Sequence, residues 1–406
     1  MSSTLDNPRS AHAVLPAFDT DPFSDAVLTD PYPFATRLRE AGPVAWLTHY
    51  GIYAVAGYKE VQSVLTDWQT FTNTGGAGLS DIRKPGSWRP PSAILESDPP
   101  VHTGIRSALM RILSPAVVRQ WRETFTAEAD LLADRLVEQG EFDGVHEVSE
   151  AFVLKVFPDV VGVDMPREAA VAVGDMNFNA IGPANERTRV AAERAAPYMA
   201  WYEQAMQRES MRPGGFGELL FQAEDEGAIP PGVGMNLARS FLRGGTDTTI
   251  SGIGFMLQHI ATRPDVFDTL KAQPQRLRGA FDETLRLESP VQVMFRTTRQ
   301  DCEVFGQRLA ADTKVAAFIN GANRDARAWA EPDRFDIGRA PGPMQLAFGA
   351  GPHVCIGQMI ARLEAECIVG ALLRRVKSIE LACEPGFRLV NTLRTLDHLP
   401  LRVRVT

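Results

Sequence analysis

The stretch that decides the fold is Phe348-Gly-Ala-Gly-Pro-His-Val-Cys355-Ile-Gly357. Two closely spaced glycines and a proline predict a tight loop, and a strong helical pattern then begins near Ile356. A thiolate at Cys355 would lie close to the N–H groups of that helix N-terminus, which lower its pKa and stabilise its charge. Gly357 would let a flat ligand approach the backbone closely. The alternative interpretation of any single cysteine is a buried, inert thiol.

A second unusual stretch, Gly244-Gly-Thr-Asp-Thr-Thr249, lies inside an apolar helical pattern that runs from about Asn236 to Thr262. Glycine and threonine are poor helix formers, and each mid-helix glycine costs about 1 kcal/mol. Poor helix formers in the middle of a core helix suggest that a functional site requires them there. A simple close contact between helices at the glycines is the alternative.

Two pairs of charged residues have helical spacing. Glu283 and Arg286 stand three apart, and their ordinary interpretation is an exposed ion pair worth about 0.2–0.5 kcal/mol. His102 and Arg106 stand four apart after a pair of prolines, so they share one helix face. Solvated surface cations are the alternative for this second pair.

These segments together resemble the cytochrome P450 superfamily, whose haem-binding loop has the pattern F-G-x-G-x-H-x-C-x-G. The resemblance implies a single-domain P450 fold, mainly α with a minor β part, with haem b between a distal and a proximal helix. It makes Cys355 the axial ligand of the haem iron and places Phe348, Gly349 and Gly357 in the loop around the haem. It also places Gly244 in the distal helix, beside the space for dioxygen.

The resemblance assigns roles to further residues. Asp247 and Thr248 correspond to the acid–alcohol pair that delivers protons to reduced dioxygen, a task suited to a carboxylate and a hydroxyl. Glu283 and Arg286 correspond to the structural E-x-x-R pair, with Arg334 as its third member. The positions that match the cations for the haem propionates are His102, Arg106, Arg296 and His353.

Within the superfamily, the chain is most similar to bacterial monooxygenases that demethylate or hydroxylate para-substituted benzoates such as 4-methoxybenzoate. The similar stretches are WRPPSAILESDPPVHT, GPANE, PGGFG, ESPVQVMFRTT, ANRD and NTLRTL. The resemblance implies that Arg89, Ser92 and Ser240 bind the substrate carboxylate, a group that needs charge and hydrogen-bond donors. A surface loop cation is the alternative interpretation of Arg89.

The other substrate positions are Phe178, Ile181, Met294 and Arg243. Arg243 could add a second cation for the substrate or pair with Asp247 four residues later. Apolar residues replace the polar or aromatic ones of the benzoate family at Val173, Ile181, Met199 and Met294. A neutral methoxylated phenol is therefore the alternative substrate.

Composition narrows the class of protein. Of the 406 residues, 42 are Lys or Arg and 50 are Asp or Glu, and the net charge of −8 argues against a nucleic-acid partner. No stretch of about 18 apolar residues predicts a membrane span, and the start lacks the pattern of a secretory signal. None of the four cysteines forms a C-x-x-C pair, so we expect a cytoplasmic protein with free thiols. Residues 1–17 are expected to form a flexible tail, and residues 18–406 one domain.

The predicted activity is haem-dependent oxidation of a small aromatic compound by dioxygen and two electrons, in aromatic compound catabolism. Because no flavin or iron–sulfur motif is present, a small ferredoxin and an NAD(P)H-dependent ferredoxin reductase are the expected electron donors, with Arg111 and Arg362 as docking residues. A haem-based gas sensor and a peroxide-using peroxygenase are the competing classes. Asp247 and Thr248 argue against both, because their proton delivery suits stepwise reduction of dioxygen.

Overall fold

A computed structural model describes residues 15–85 and 91–405 of the chain. The long helical pattern in the middle of the sequence forms helices, as the apolar spacing predicts. The α-helices are α1 Asp25–Thr29, α2 Tyr32–Ala41, α3 Tyr58–Thr66, α4 Val101–Ile112, α5 Pro115–Gln139, α6 Ala151–Val161, α7 Arg167–Ile181, α8 Glu186–Ala195, α9 Met199–Ala205, α10 Phe216–Asp225, α11 Val233–Gly245, α12 Asp247–Ala261, α13 Pro264–Ala272, α14 Leu277–Glu288, α15 Ile319–Ala322 and α16 Gln358–Arg375.

The β part is minor, as expected, and all its strands except β5 lie before residue 73 or after residue 292. The strands are β1 Ala17–Phe18, β2 Ala45–Leu47, β3 Ile52–Val55, β4 Phe71–Thr72, β5 Glu141–Asp143, β6 Val293–Thr298, β7 Cys302–Val304, β8 Gln307–Leu309, β9 Lys314–Phe318, β10 Val376–Leu381, β11 Gly386–Leu389, β12 Arg394–His398 and β13 Pro400–Val405.

The largest sheet has the order β1-β2-β3-β9-β6-β4 and joins the N-terminal part of the chain to the segment before the cysteine loop. Strands β2 and β3 form an antiparallel hairpin, with Trp46 opposite Tyr53. Strand β9 pairs parallel with β3 and antiparallel with β6, so that Val315 lies opposite both Tyr53 and Arg296. Smaller sheets have the orders β10-β13-β5, β11-β12 and β7-β8.

Strand β1 begins at Ala17, which lies opposite Trp46 of β2. The regular structure therefore starts one residue before the predicted boundary at residue 18, and residues 1–14 lie outside the described part. No helix of the described residues has the length and apolar character needed to cross a membrane.

Helices α12 and α16 form the centre of the core. The side chains of Phe255, Met256 and Leu257 on α12 have no exposed area, and α16 is buried along most of its length between α5, α12 and α14. A helix that is apolar all round belongs in the interior. This packing fixes the two helices that the resemblance places on either side of the haem.

The apolar pattern from Asn236 to Thr262 predicted one helix, but the structure divides it. Helix α11 ends at Gly245 and α12 begins at Asp247, with Thr246 between them at φ −88° and ψ −72°. The hydroxyls of Thr248 and Thr249 donate to the carbonyl oxygens of Gly244 and Gly245, at 2.8 and 3.0 Å. Hydroxyl bonds of this kind compete with the helical ladder and bend it, so the threonines and glycines account for the break.

The E-x-x-R pair is buried rather than exposed. Arg286 is 1% exposed and donates to both carboxylate oxygens of Glu283, at 2.7 and 2.9 Å. It also donates to the carbonyl oxygens of Asn323, Pro332 and Arg334, at 2.7–3.0 Å. One side chain therefore ties α14 to the irregular segment before the cysteine loop.

The prediction of Arg334 as the third member of this cluster is wrong. The Arg334 side chain is 61% exposed and pairs with Glu331, and only its backbone carbonyl reaches Arg286. Arg339 takes the position instead, because its guanidinium lies 3.1 Å from Glu283 and is mostly buried.

The segment between β4 and α4 is largely irregular in its described part, as its glycines and prolines predict. Lys314 on β9 donates to the carbonyl oxygens of Gly75 and Gly76, both at 2.7 Å. The backbone N–H of Leu79 donates to the carbonyl of Ile181 at the end of α7. These contacts place the segment against the sheet and against α7.

Candidate active site

The loop that contains Cys355 is held by its own backbone. The Cys355 N–H donates to the Phe348 carbonyl at 2.7 Å, and the Gly349 N–H donates to the Leu346 carbonyl at 2.8 Å. Gly349 and Gly351 both have positive φ values, +73° and +67°, which glycine adopts without strain. A Cβ at Gly351 would also lie 2.8 Å from the Cα of Thr66. Both the backbone conformation and this close contact therefore require glycine at position 351.

The sulfur of Cys355 faces backbone donors at the start of α16, which begins at Gln358, two residues after the predicted start. Burial raises the pKa of the Cys355 thiol above its ordinary value, contrary to the lowered pKa expected from the sequence. The N–H groups of Gly357 and Gln358 and the nearby Arg106 oppose this rise, as donors and cations beside a thiol do. A metal cation bound to the sulfur supplies the positive charge that favours the thiolate.

The four predicted propionate ligands are brought together from three parts of the chain. His102 and Arg106 lie on α4, Arg296 on β6 and His353 in the cysteine loop, with the two imidazole ring centres 4.2 Å apart. Burial and the neighbouring cations lower the pKa of His353 to about 2, and burial lowers that of Arg296 to about 10. The Nε2 atoms of both histidines are buried and have no hydrogen-bond partner among the described residues.

This cluster fits the carboxylates of a haem. A group of buried donors and cations is costly to maintain unless anions satisfy it. The space on the other side of the site fits as well, because a Cβ built on Gly244 meets no atom within 4 Å, as expected beside an open cavity.

The two glycines of the distal helix have different environments. A Cβ at Gly245 would overlap the ring of Phe157 on α6, so Gly245 serves the close helix contact. Gly244 instead faces open space, and Thr248 lies one turn later. A close helix contact therefore accounts for Gly245, and the role of Gly244 beside dioxygen stays a prediction.

Asp247 is 6% exposed and lies against the backbone of α7 at Gly174, where a Cβ would overlap its carboxylate. Its Oδ1 lies 3.8 Å from Nη2 of Arg388 on β11, and the Thr246 hydroxyl donates to Oδ2 at 3.2 Å. Burial, with a smaller contribution from Asp175, raises the pKa of Asp247 to about 6, while Arg388 and Thr246 oppose the rise.

Arg388 is a charged partner of Asp247 that the sequence analysis did not identify. The expected alternative, an ion pair between Arg243 and Asp247, is not formed in the described residues. The Arg243 guanidinium instead lies over the ring of Tyr202, 5.6 Å from its centre. The stretch NTLRTL directed attention to residues just after Arg388, but no local pattern links β11 to the distal helix.

The two serines predicted to bind the substrate carboxylate are in contact. The hydroxyl oxygens of Ser92 and Ser240 lie 2.7 Å apart. Asn236, one turn before Ser240, donates to the Pro91 carbonyl at 2.9 Å and accepts from the Ala93 N–H at 2.6 Å, which fixes the segment around Ser92. The sequence analysis missed Asn236, although its i, i+4 spacing to Ser240 was a usable signal. Arg89 lies outside the described residues.

The apolar residues predicted to line the substrate site lie in or beside the packed core. Phe178 and Ile181 on α7 are buried in one cluster with Val293 and Phe295 of β6, while Met294 on the same strand is only half-buried and packs against a different cluster.

One expected docking residue is not available. Arg362 is 12% exposed, lies 2.8 Å from Asp282 and packs over the ring of Phe348, so its charge is already paired beneath the cysteine loop. Arg111, at the end of α4, is exposed.

Comparison with known proteins agrees with this geometry. A sequence profile of the family described as Cytochrome P450 matches residues 233–381. The protein called Cytochrome p450 CYP199A2, from Rhodopseudomonas palustris, is 44% identical over 398 residues, which cover 98% of this chain and 96% of that protein. The chain belongs to the cytochrome P450 family.

More distant relatives of this cytochrome P450 support the same assignment. Epothilone C/D epoxidase from Sorangium cellulosum is 27% identical over 409 residues, which cover 95% of each chain. The solved structure of cytochrome P450 CYP109Q5 from Chondromyces apiculatus has a TM-score of 0.80 at 29% identity and covers 96% of this chain and 99% of that one. The predicted P450 fold, the haem with a cysteine thiolate ligand and the monooxygenase class are confirmed.

Proposed function

We propose that this cytochrome P450 uses dioxygen and two electrons to O-demethylate or hydroxylate a small para-substituted aromatic acid such as 4-methoxybenzoate. The observation that carries the proposal is the contact between the Ser92 and Ser240 hydroxyls at one end of the distal helix. Two hydroxyls from different elements, with Arg89 in the segment just before Ser92, have the chemistry that a buried carboxylate needs.

The position of Ser240 supports oxidation at the far end of the substrate. Ser240 precedes Thr248 by eight residues, which corresponds to roughly 12 Å along a helix. A carboxylate bound near Ser240 would direct the para substituent of a rigid ring along α11 towards Gly244 and Thr248. Such positioning decides which carbon an unselective oxidant attacks.

The proposal gives the other residues of the site these roles. Cys355 would ligate the haem iron through its thiolate, and His102, Arg106, Arg296 and His353 would hold the propionates. When bound, the haem supplies the site at which dioxygen is bound and reduced. Asp247 and Thr248 then accept and donate the protons that the reaction consumes.

The hydrogen bonds of Thr248 define what it can do. Its hydroxyl proton is engaged by the Gly244 carbonyl at 2.8 Å, so the oxygen faces the open side of the helix as an acceptor. An acceptor at this position can hold a water, and Asp247, one residue earlier, is the nearby group that takes up and releases protons.

Electrons must come from other proteins, and we propose a small ferredoxin with its NAD(P)H-dependent reductase in the cytoplasm. Arg111 is exposed and lies on the same helix as Arg106, next to the cysteine side of the site. It is the retained docking candidate, because Arg362 is paired with Asp282. Charge complementarity of this kind mainly increases the rate of encounter.

A neutral methoxylated phenol is the second candidate substrate, and one observation favours it. The predicted substrate residues Ile181 and Met294 are apolar, and the two serine hydroxyls can satisfy each other without a ligand. A phenol would then need only one hydrogen bond from the serine pair.

The test compares 4-methoxybenzoate with 4-methylanisole and a methoxyphenol by spectral titration of the haem and by product analysis. We expect 4-methoxybenzoate to bind most tightly, and Arg89→Ala and Ser240→Ala to weaken its binding without weakening that of 4-methylanisole. Removing one partner of a charge-assisted contact typically costs about 2–5 kcal/mol. Equal or tighter binding of the neutral compounds, unaffected by Arg89→Ala, would rule out the carboxylate site and favour the phenol.

A further inference from the structure

Arg388 links the C-terminal hairpin, formed by β11 and β12, to the carboxylate of Asp247 on the distal helix α12. Its Nη2 lies 3.8 Å from Oδ1 of Asp247, and the two side chains are 28% and 7% exposed. The arginine therefore reaches from a partly exposed position to an almost fully buried one. Its Nε is buried and has no hydrogen-bond partner among the described residues, so one donor remains available.

The charged groups that face Asp247 come from several elements. Helix α7 contributes Asp175, which lies 3.6 Å from Arg194 of α8 and accepts a hydrogen bond from Asn179 at 3.1 Å. On the preceding helix α11, Arg243 stands four residues before Asp247 but packs over Tyr202. Asp247 is thus placed between a carboxylate on α7 and the guanidinium on β11.

Arg388 also lines a small cavity whose surface is mainly apolar, with a minority of polar side chains. This cavity has a volume of about 20 Å³, and the polar residues lining it with Arg388 include Gln292, Asn320, Asn391 and Thr395. A space of about 10–15 Å³ is enough for one water if several polar partners are present. A water held here would lie beside the arginine that contacts Asp247.

We propose that Arg388 is a positioning residue for Asp247: it orients the carboxylate, keeps it ionised between turnovers and connects it with solvent on the side of the C-terminal hairpin. The inference rests on the proposed proton-delivery role of Asp247. In each transfer, the carboxylate accepts one proton from the solvent side and gives one proton to the Thr248 side, so its charge is restored. Arg388 remains protonated throughout, because guanidinium does not deprotonate in proteins.

A purely structural role is the competing explanation, in which the ion pair only holds the hairpin β11–β12 against α12. That role predicts a change in thermal stability when Arg388 is replaced, but no change in the ionisation of Asp247. The protonation state of Asp247 therefore separates the two explanations.

The experiment is an infrared difference titration of the haem-loaded protein, with Asp247→Asn used to assign the carboxyl band of Asp247. We expect Arg388→Gln to move the titration midpoint up by about one pH unit, because it removes a cation from within 4 Å of the carboxylate. Arg388→Lys should restore most of the shift. Arg404→Gln, which removes an exposed arginine from the neighbouring strand β13, is the control of equal charge and should leave the midpoint unchanged.

Asp175→Asn supplies an independent test if Arg388→Gln does not fold. Because Asp175 raises the pKa of Asp247, its neutralisation should lower the midpoint. The fraction of reductant recovered as product should follow the same shifts along the pH axis in each variant. A midpoint that is the same in the wild type, Arg388→Lys and Arg388→Gln proteins would overturn the proposal.

The outcome for Asp247→Asn distinguishes this inference from the proposed function. If Asp247→Asn leaves the coupling of reductant to product unchanged, proton delivery by Asp247 is wrong and the role of Arg388 is wrong with it. If Asp247→Asn uncouples the enzyme but Arg388→Gln leaves the midpoint unchanged, only the role of Arg388 is wrong.

Discussion

The cysteine side and the distal side of the site are constructed in opposite ways. On the cysteine side, backbone hydrogen bonds close the loop, and Arg286 donates to five acceptors through α14 and its neighbours. On the distal side, the helical ladder opens at Thr246, and Asp247 takes its partners from α7 and β11. The first arrangement maintains a fixed geometry, whereas the second keeps space and charge available for ligands.

This difference predicts that substitutions on the cysteine side change the stability of the fold, and that those on the distal side change chemistry. Three variants test the comparison, ordered by their expected effect on the free energy of unfolding.

Arg286→Ala should have the largest effect. It leaves the Glu283 carboxylate buried with Arg339 as its remaining cation and removes five hydrogen bonds, and breaking a buried ion pair costs about 3–5 kcal/mol. Chemical denaturation of the haem-loaded protein measures the loss. Arg334→Ala is the matched control, because its exposed side chain lies outside the cluster and should change stability by less than about 0.5 kcal/mol. Equal effects of the two variants would return Arg334 to the cluster.

Glu364→Gln tests a group on α16 that does not fit the picture of a cysteine side whose polar groups all have partners. Glu364 is fully buried, neither carboxylate oxygen has a hydrogen-bond partner among the described residues, and burial raises its pKa well above the ordinary value of 4.5. A raised pKa means that the wild-type stabilisation is complete below pH 4.5 and is lost as the pH rises.

The loss can reach about 1.4 kcal/mol for each pH unit until the folded-state pKa is passed. We therefore expect Glu364→Gln to become more stable relative to the wild type as the pH rises from 5 to 8, by roughly 1–3 kcal/mol in total. Thermal unfolding across this range measures the difference, with Glu138→Gln on the exposed face of α5 as the control. A difference that does not depend on pH would show that Glu364 is satisfied in the folded protein.

Thr248→Ala should have the smallest effect on stability. It removes one neutral hydrogen bond to the Gly244 carbonyl, worth about 0.5–1.5 kcal/mol. The effect on chemistry should be larger: the variant should still bind substrate and consume electrons, but release more hydrogen peroxide and less product. Ser251→Ala, which removes a hydroxyl bonded to the Asp247 carbonyl on the buried side of α12, is the control. Unchanged coupling in Thr248→Ala would contradict the proposed proton delivery.

Short patterns predicted the parts of the molecule in which neighbours in sequence are neighbours in space. The loop from Phe348 to Gly357, the pair Glu283–Arg286 and the pair His102–Arg106 are set by backbone geometry over a few residues.

The predictions failed where the contact depends on how distant segments pack. Arg334 and Arg339 lie in one irregular segment, and no periodicity in a loop indicates which of them turns towards Glu283. Arg388 reaches Asp247 only because β11 folds back against the distal helix. The break at Thr246 was missed because the apolar pattern continues across it, while the threonine hydroxyls that cause the break leave no mark on that pattern.

Strand β6 carries a residue proposed to bind the substrate and a residue proposed to bind the cofactor on the same face. Met294 and Arg296 stand two residues apart, so they project from the same face of the strand at a spacing of roughly 7 Å, while Val293 and Phe295 on the other face are buried in the core. On the proposed roles, a substitution at position 294 changes the substrate site while Arg296 and the packed face behind it stay in place. We therefore expect a single substitution there to alter specificity without disturbing the residue proposed to hold a haem propionate.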